Sequence, residues 1–107
     1  MAASRTKLAH MVYFTLADRS PANIEKLIAD CDEYLTKHPG TEYYSVGVVV
    51  PDLSRPVNDK EFDVALHVVF SSRADHDAYQ VAPRHIEFVT RNKPTWAKVR
   101  VFDSYVA

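Results

Sequence analysis

Near the start of the chain, Leu8, His10, Val12, Phe14 and Leu16 alternate with Ala9, Met11, Tyr13 and Thr15. A period of two predicts a strand over residues 7–16. Ser20-Pro21 then supplies a helix N-cap followed by proline at the first helical position. Behind it Ile24, Leu27, Ile28, Cys31, Tyr34 and Leu35 recur at helical spacing and form one apolar face. Pro39-Gly40 is the expected stop. The run TEYYSVGVVV, residues 41–50, is β-branched and aromatic and predicts a second strand. PDLSRPVNDK, residues 51–60, reads as a loop. A third strand is expected over residues 61–70, with Phe62, Val64, Leu66, Val68 and Phe70 on one face. Ser72-Arg-Ala-Asp75 resembles a capping box opening a helix through Ala78 and Tyr79. Pro83 breaks the pattern, residues 84–91 read as another helical segment, Asn92-Lys93-Pro94 turns the chain, and residues 98–106 form a fourth strand. The order β-α-β-β-α-(α)-β is that of an α+β domain with an antiparallel sheet.

These strands are apolar on both faces, whereas a two-layer sheet needs only one apolar face. The first strand is apolar or aromatic on each side. The third sets its Phe/Val/Leu face against Asp63, Ala65, His67 and Val69, and the fourth sets Val99, Val101 and Tyr105 against Phe102 and Val106. Helices cover one side only. Burying about six apolar side chains on the other gives roughly 10–20 kcal/mol gross. Association costs roughly 4–15 kcal/mol, so a two-fold homodimer through the open sheet face is expected.

With 107 residues there is room for one domain, spanning residues 1–107. Thirteen basic and fourteen acidic residues leave a net charge of −1, so no overall field draws the chain to nucleic acid or to an anionic membrane surface. The longest apolar run, residues 46–50, is far too short to span a bilayer. The opening Met1-Ala-Ala-Ser-Arg-Thr-Lys7 lacks the apolar core of a signal peptide. A single cysteine, Cys31, makes no internal disulfide, which suits a reducing, cytoplasmic setting. Two glycines, Gly40 and Gly47, cannot build a phosphate-cradling loop. Arg84, Arg91, Lys93, Lys98 and Arg100 form a loose basic group without an aromatic platform, the pattern of a solvated face.

Three stretches resemble the stress-responsive A/B barrel family, a branch of the dimeric α+β barrel superfamily. They are Leu8-Ala-His10-Met-Val-Tyr-Phe14, then Phe62-Asp-Val-Ala-Leu-His-Val-Val-Phe70-Ser-Ser-Arg73 with Ala78-Tyr79-Gln-Val-Ala-Pro83-Arg-His85-Ile-Glu-Phe88-Val89, and last Trp96 to Asp103-Ser-Tyr105. The resemblance covers about residues 8–105. It implies a ferredoxin-like β-α-β-β-α-β subunit whose four-stranded sheet closes with its twin into a barrel, each subunit keeping a small cavity between sheet and helices. Val12, Phe14, Val64, Leu66, Val68, Trp96, Val99 and Val101 are the expected lining. The family includes stress-associated proteins without known chemistry and a plant polyketide cyclase, so fold alone does not name a reaction.

The sharpest chemical constellation is His10, Tyr79, His85 and Asp103. A polar side chain among apolar neighbours needs a partner, since burying it unpaired costs several kcal/mol. Tyr79 and His85 are six positions apart, about 240° around a continuous helix, and the break at Pro83 frees them to share one pocket. Carried over from the cyclase, His85 is the base, Asp103 orients it, and Tyr79 polarises a carbonyl or holds an enolate. The chain departs from the family pattern at Ala82, where a second histidine is frequent, and at Cys31, where a larger residue is expected. Three readings follow. One is a homodimer whose cavity binds a hydrophobic metabolite. The second is a cofactor-independent cyclase or isomerase acting on a polyketide-like or aromatic substrate. The third is a monooxygenase or haem-handling barrel with His85 as the axial candidate.

The remaining groups have plainer expected roles. His38 sits at the end of the first helix, where a cation suits the dipole. His67 is expected against a helix, Cys31 in the core, and Trp96 at one end of the cavity. Asp75-His76-Asp77 looks metal-like, but adjacent helix positions point apart, so His76 is expected in solvent and no metal or other cofactor is expected.

Overall fold

The strand β1 (Lys7–Leu16) runs through the middle of one four-stranded antiparallel sheet in the order β2-β3-β1-β4, with β2 at Thr41–Val48, β3 at Val64–Phe70 and β4 at Trp96–Val106. This computed structural model describes residues 4–107. The first three residues of the opening segment lie outside the described residues. Helices α1 (Pro21–Tyr34), α2 (Arg73–Val81) and α3 (Pro83–Asn92) and a short 3₁₀ turn (Lys93–Thr95) complete the chain. Strand order, antiparallel pairing and helix placement are those of the ferredoxin-like β-α-β-β-α-β subunit.

The predicted capping holds in atomic detail. Ser20 accepts a hydrogen bond from the Asn23 amide with Pro21 at the first helical position, and Ser72 does the same for the Asp75 amide. Helix α1 ends at Tyr34, short of the expected stop at Pro39-Gly40, because side chains from elsewhere take its last carbonyls. Arg84 donates to the carbonyls of Glu33 and Thr36, and the His38 Nε2 lies 2.7 Å from the Tyr34 carbonyl. Gly40 is still needed: its φ of 81° lies in the left-handed region, and a Cβ there would collide with the Asp75 side chain.

Leu8, Val12, Phe14 and Leu16 of β1 join Val64, Leu66, Val68 and Phe70 of β3 in one buried cluster with Leu27, Cys31, Leu35, Tyr79 and Phe88 from the helical layer. The third strand starts at Val64, later than expected. The Asp63 amide bonds the Phe14 carbonyl, and the buried Asp63 carboxylate accepts from the Leu16 amide at 2.9 Å and from Arg19 at 3.0 Å. Phe62 therefore leaves the Phe/Val/Leu face and packs edge-on against Tyr13 at 5.0 Å on the opposite side. The second strand likewise ends at Val48, and the fourth begins at Trp96.

That opposite side carries no helix. Tyr13 also meets Phe102 at 5.8 Å and His67 at 6.2 Å. Tyr13, Asp59, Phe62, Arg100 and Phe102 border an open hollow of about 460 Å³. His67 thus lies here beside Ser45, not against a helix as expected. No helix of the described residues is long and apolar enough to cross a membrane.

Candidate functional site

Between the sheet and α2–α3 lies a second cavity, of about 180 Å³. Val12, Phe14, Leu66, Phe88, Trp96 and Val99 make its apolar wall, and His10, Tyr79, Gln80 and His85 are its polar members. Sequence reasoning placed Val64 and Val68 in this lining. Both are instead fully enclosed in the core, and Leu35, Phe88 and Val89 take the wall positions. Their strand faces the helical layer as expected, but only Leu66 of β3 reaches the space, which lies chiefly between β1, β4 and α2–α3. Trp96 lines the cavity, its ring 5.0 Å from Phe14 and 6.0 Å from Phe88. Cys31 is fully buried in the core and does not reach the cavity.

Proline decides how Tyr79 and His85 meet. Ala82, with φ −65° and ψ 140°, is extended and separates α2 from α3, as the residue before proline prefers. The bend brings the two rings to 4.6 Å between centroids. Tyr79 is only 2% exposed and also touches His38 at 4.9 Å, Phe70 at 4.9 Å and His10 at 6.0 Å. Its hydroxyl has no hydrogen-bond partner among the described residues. Burial pushes the phenol pKa far upward, which keeps it a proton donor across the ordinary pH range.

Hydrogen bonding sets the histidine tautomers. The His85 Nδ1 lies 3.1 Å from the Gln80 carbonyl, which only accepts, so Nδ1 carries the hydrogen and Nε2 keeps its lone pair. Burial lowers the His85 pKa against the raising effect of that carbonyl, and His10, His38 and His76 lower it further. The ring is therefore neutral near pH 7 and available as a base. His10 is 5% exposed, and its Nδ1 donates to the Asp103 carboxylate at 2.6 Å. Burial lowers the His10 pKa in spite of that carboxylate.

Asp103 is therefore not the residue that orients His85. The register of β1 and β4 sets Asp103 directly opposite His10, whereas the last turn of α2 presents the Gln80 carbonyl to His85. His76 also departs from expectation. It is largely buried, its ring 5.1 Å from His10 and 5.7 Å from Phe70, with Nδ1 2.9 Å from Asp77. Asp75 faces away and accepts from the hydroxyls of Ser71 and Ser72. The loose basic group is partly tied down. Arg84 caps α1, Arg91 lies over Tyr34 and 3.8 Å from Asp30, and Arg100 pairs with Asp59. The contributions of Gln80 and Arg84 had no sequence signal, because each works through backbone atoms of a neighbouring element.

Solved structures with this fold span almost the whole chain. A Dabb family protein with a ferredoxin-like fold from Mesorhizobium loti superposes with a TM-score of 0.79 at 21% identity, covering 95% of this chain and 98% of that one. A dimeric ferredoxin-like protein of unknown function from Thermobifida fusca gives 0.79 at 18% identity over 94% and 92%. A hydroxynitrile lyase from Passiflora edulis gives 0.77 at 23% identity over 97% and 96%. No functionally curated protein matches the chain in sequence. The profile of the stress-responsive A/B barrel domain matches residues 8–106. That match covers every strand but the first residue of β1 and all three helices, and the chain belongs to the stress-responsive A/B barrel domain family.

Proposed function

We propose that the chain works as a two-fold homodimer. Each subunit binds one small, mostly apolar molecule with a carbonyl or hydroxyl group, and His85 and Tyr79 move a proton on it without a cofactor. The observation that carries the reading is the His85–Tyr79 contact in the wall of a largely apolar cavity. His85 Nε2 takes a proton from an O–H, or from a C–H beside a carbonyl. The Tyr79 hydroxyl donates a hydrogen bond to the oxygen that gains charge. The His10 imidazole, held by Asp103, borders the same space.

Volume narrows the ligand. A cavity of about 150 Å³ holds benzene, so 180 Å³ suits one six-membered ring with a short substituent. That volume favours a single-ring ligand over an extended polyketide or haem, because pockets for drug-sized ligands run from roughly 300 Å³ upward. A hydroxynitrile lyase shares this fold, which supports lyase-type chemistry as compatible with such a subunit. The dimer reading is supported by the uncovered aromatic sheet face and by relatives described as dimeric.

Acetophenone and benzaldehyde are suitable probes. Either should raise the melting temperature in proportion to the logarithm of its concentration once above Kd. Deuterium uptake at the methyl group of acetophenone, followed by NMR in D₂O, reports enolisation directly. His85→Gln should slow the protein-dependent rate by about 100-fold or more, and Tyr79→Phe by about 10-fold or more. Equal rates in wild type and variants would refute the chemistry. A thermal shift without exchange would leave the binding-only reading, which the small, largely apolar wall independently favours.

A further inference from the structure

Beside the cavity wall, β1, α2 and the edge strand β4 bring together three groups that are distant in sequence. One imidazole nitrogen each from His10 and His76 and one carboxylate oxygen of Asp103 all lie within 4.8 Å of one another. From this we infer a divalent metal site of the zinc class, with His10, His76 and Asp103 as its protein ligands. Two imidazoles and one carboxylate form the N₂O donor set that binds Zn²⁺ when a fourth position stays open. Bond lengths near 2.0–2.2 Å place tetrahedral ligand atoms about 3.3 Å apart, so atoms now within 4.8 Å of one another draw in around the ion while the His10–Asp103 pair moves apart.

The surroundings are already arranged for it. The Nδ1 of His76 faces the Asp77 carboxylate at 2.9 Å, which leaves Nε2 to the metal and reproduces the carboxylate–histidine–metal arrangement that orients ligand rings. Only the Gln80 amide, 3.4 Å away, competes for that nitrogen. Asp103 is fixed by the register opposite His10. The fourth position opens on a hollow of about 250 Å³ bordered by Leu8, Arg73, Ser104 and Tyr105. The Arg73 guanidinium bonds Asp77 and the Tyr105 hydroxyl, so a water or an anionic group is the favoured fourth ligand. The 2.6 Å hydrogen bond between His10 and Asp103 opens on metal binding. The site uses neither His85 nor Tyr79, and it shares only His10 with the wall of the cavity.

The test uses the full chain freed of metal with EDTA, then titrated with zinc chloride by calorimetry and assayed for zinc after desalting. One zinc per chain is expected. His76→Ala and Asp103→Asn, both outside the buried core, should each weaken binding at least about 100-fold, and Asp77→Asn by about 10–100-fold. His67→Ala, which alters a histidine on the open sheet face, should leave affinity unchanged. In the wild type, zinc should also shift the ¹⁵N signals of the His10 and His76 imidazoles and not that of His85. Failure of the wild type to take up zinc, or undiminished binding in His76→Ala or Asp103→Asn, would overturn the assignment.

Discussion

Replacing Phe102 by aspartate tests the dimer on which the barrel depends. Phe102 stands on the open face beside Tyr13 and is 54% exposed in the single subunit. Large aromatic side chains bury roughly 150–250 Å², so about 110 Å² of Phe102 remains for a partner to cover. At about 25 cal/mol per Å² this is close to 3 kcal/mol per copy. Two-fold symmetry counts it twice, which makes nearly 6 kcal/mol, or about 10⁴-fold in Kd. If the partner covers only half of that surface, the loss is still about 100-fold. Sedimentation velocity across a concentration series should show a species of twice 12.2 kDa for the wild type and a monomer for Phe102→Asp over the same range. Ile86, equally exposed at 52% but on α3, serves as control, and Ile86→Asp should remain dimeric. A wild type that is monomeric, or a Phe102→Asp variant as dimeric as the wild type, would show that this face is not the interface.

Three other outcomes follow from the site and the core. His10 and His85 have folded-state pKa values below the ordinary 6.5, so below pH 6.5 the unfolded chain binds more protons. Unfolding free energy should therefore fall as pH drops through 6.5 and level off once the native rings protonate; urea titrations from about pH 7.5 to about 5 should show this, and His85→Gln should flatten the curve. Asp63→Ala strips the Leu16 amide and Arg19 of a buried acceptor. It should cost about 2 kcal/mol and lower the melting temperature by about 8–16 °C; a change under about 2 °C would contradict the assigned role. Cys31 is fully enclosed, and burial pushes its thiol pKa far upward. A chromogenic disulfide reagent should react with it only as fast as the chain unfolds, and rapid labelling of the native protein would contradict the packing.

Period and punctuation made the elements legible. The alternation in β1, the Ile24–Leu35 stripe, both serine caps and the proline break at Ala82-Pro83 are local signals, and the structure follows each of them. The two-faced apolar character of β1 and β4 also pointed to an uncovered sheet face before any coordinates. Boundaries were less legible where a distant side chain ends an element. Arg84 and His38 close α1 early, and Asp63 turns the chain before β3 and carries Phe62 to the other face.

Residue types at the site were readable because a histidine or aspartate on an apolar strand face is costly without a partner. Which partner each takes was not readable, because strand register and helix placement are long-range quantities. One residue of slip in β4 would set Ser104 or Phe102 against His10 in place of Asp103 and carry the carboxylate to the other face. The same register pairs Asp103 with His10, and His85 takes the Gln80 carbonyl across the bend at Pro83. The packing of α2 on the sheet brings in His76, which the local spacing of charges had placed in solvent. Local sequence thus determined the strands, the helices and the side chains needing partners, since those depend on neighbours a few positions away. Tertiary packing alone decided the pairings and the volume left between them, since those depend on how whole elements align.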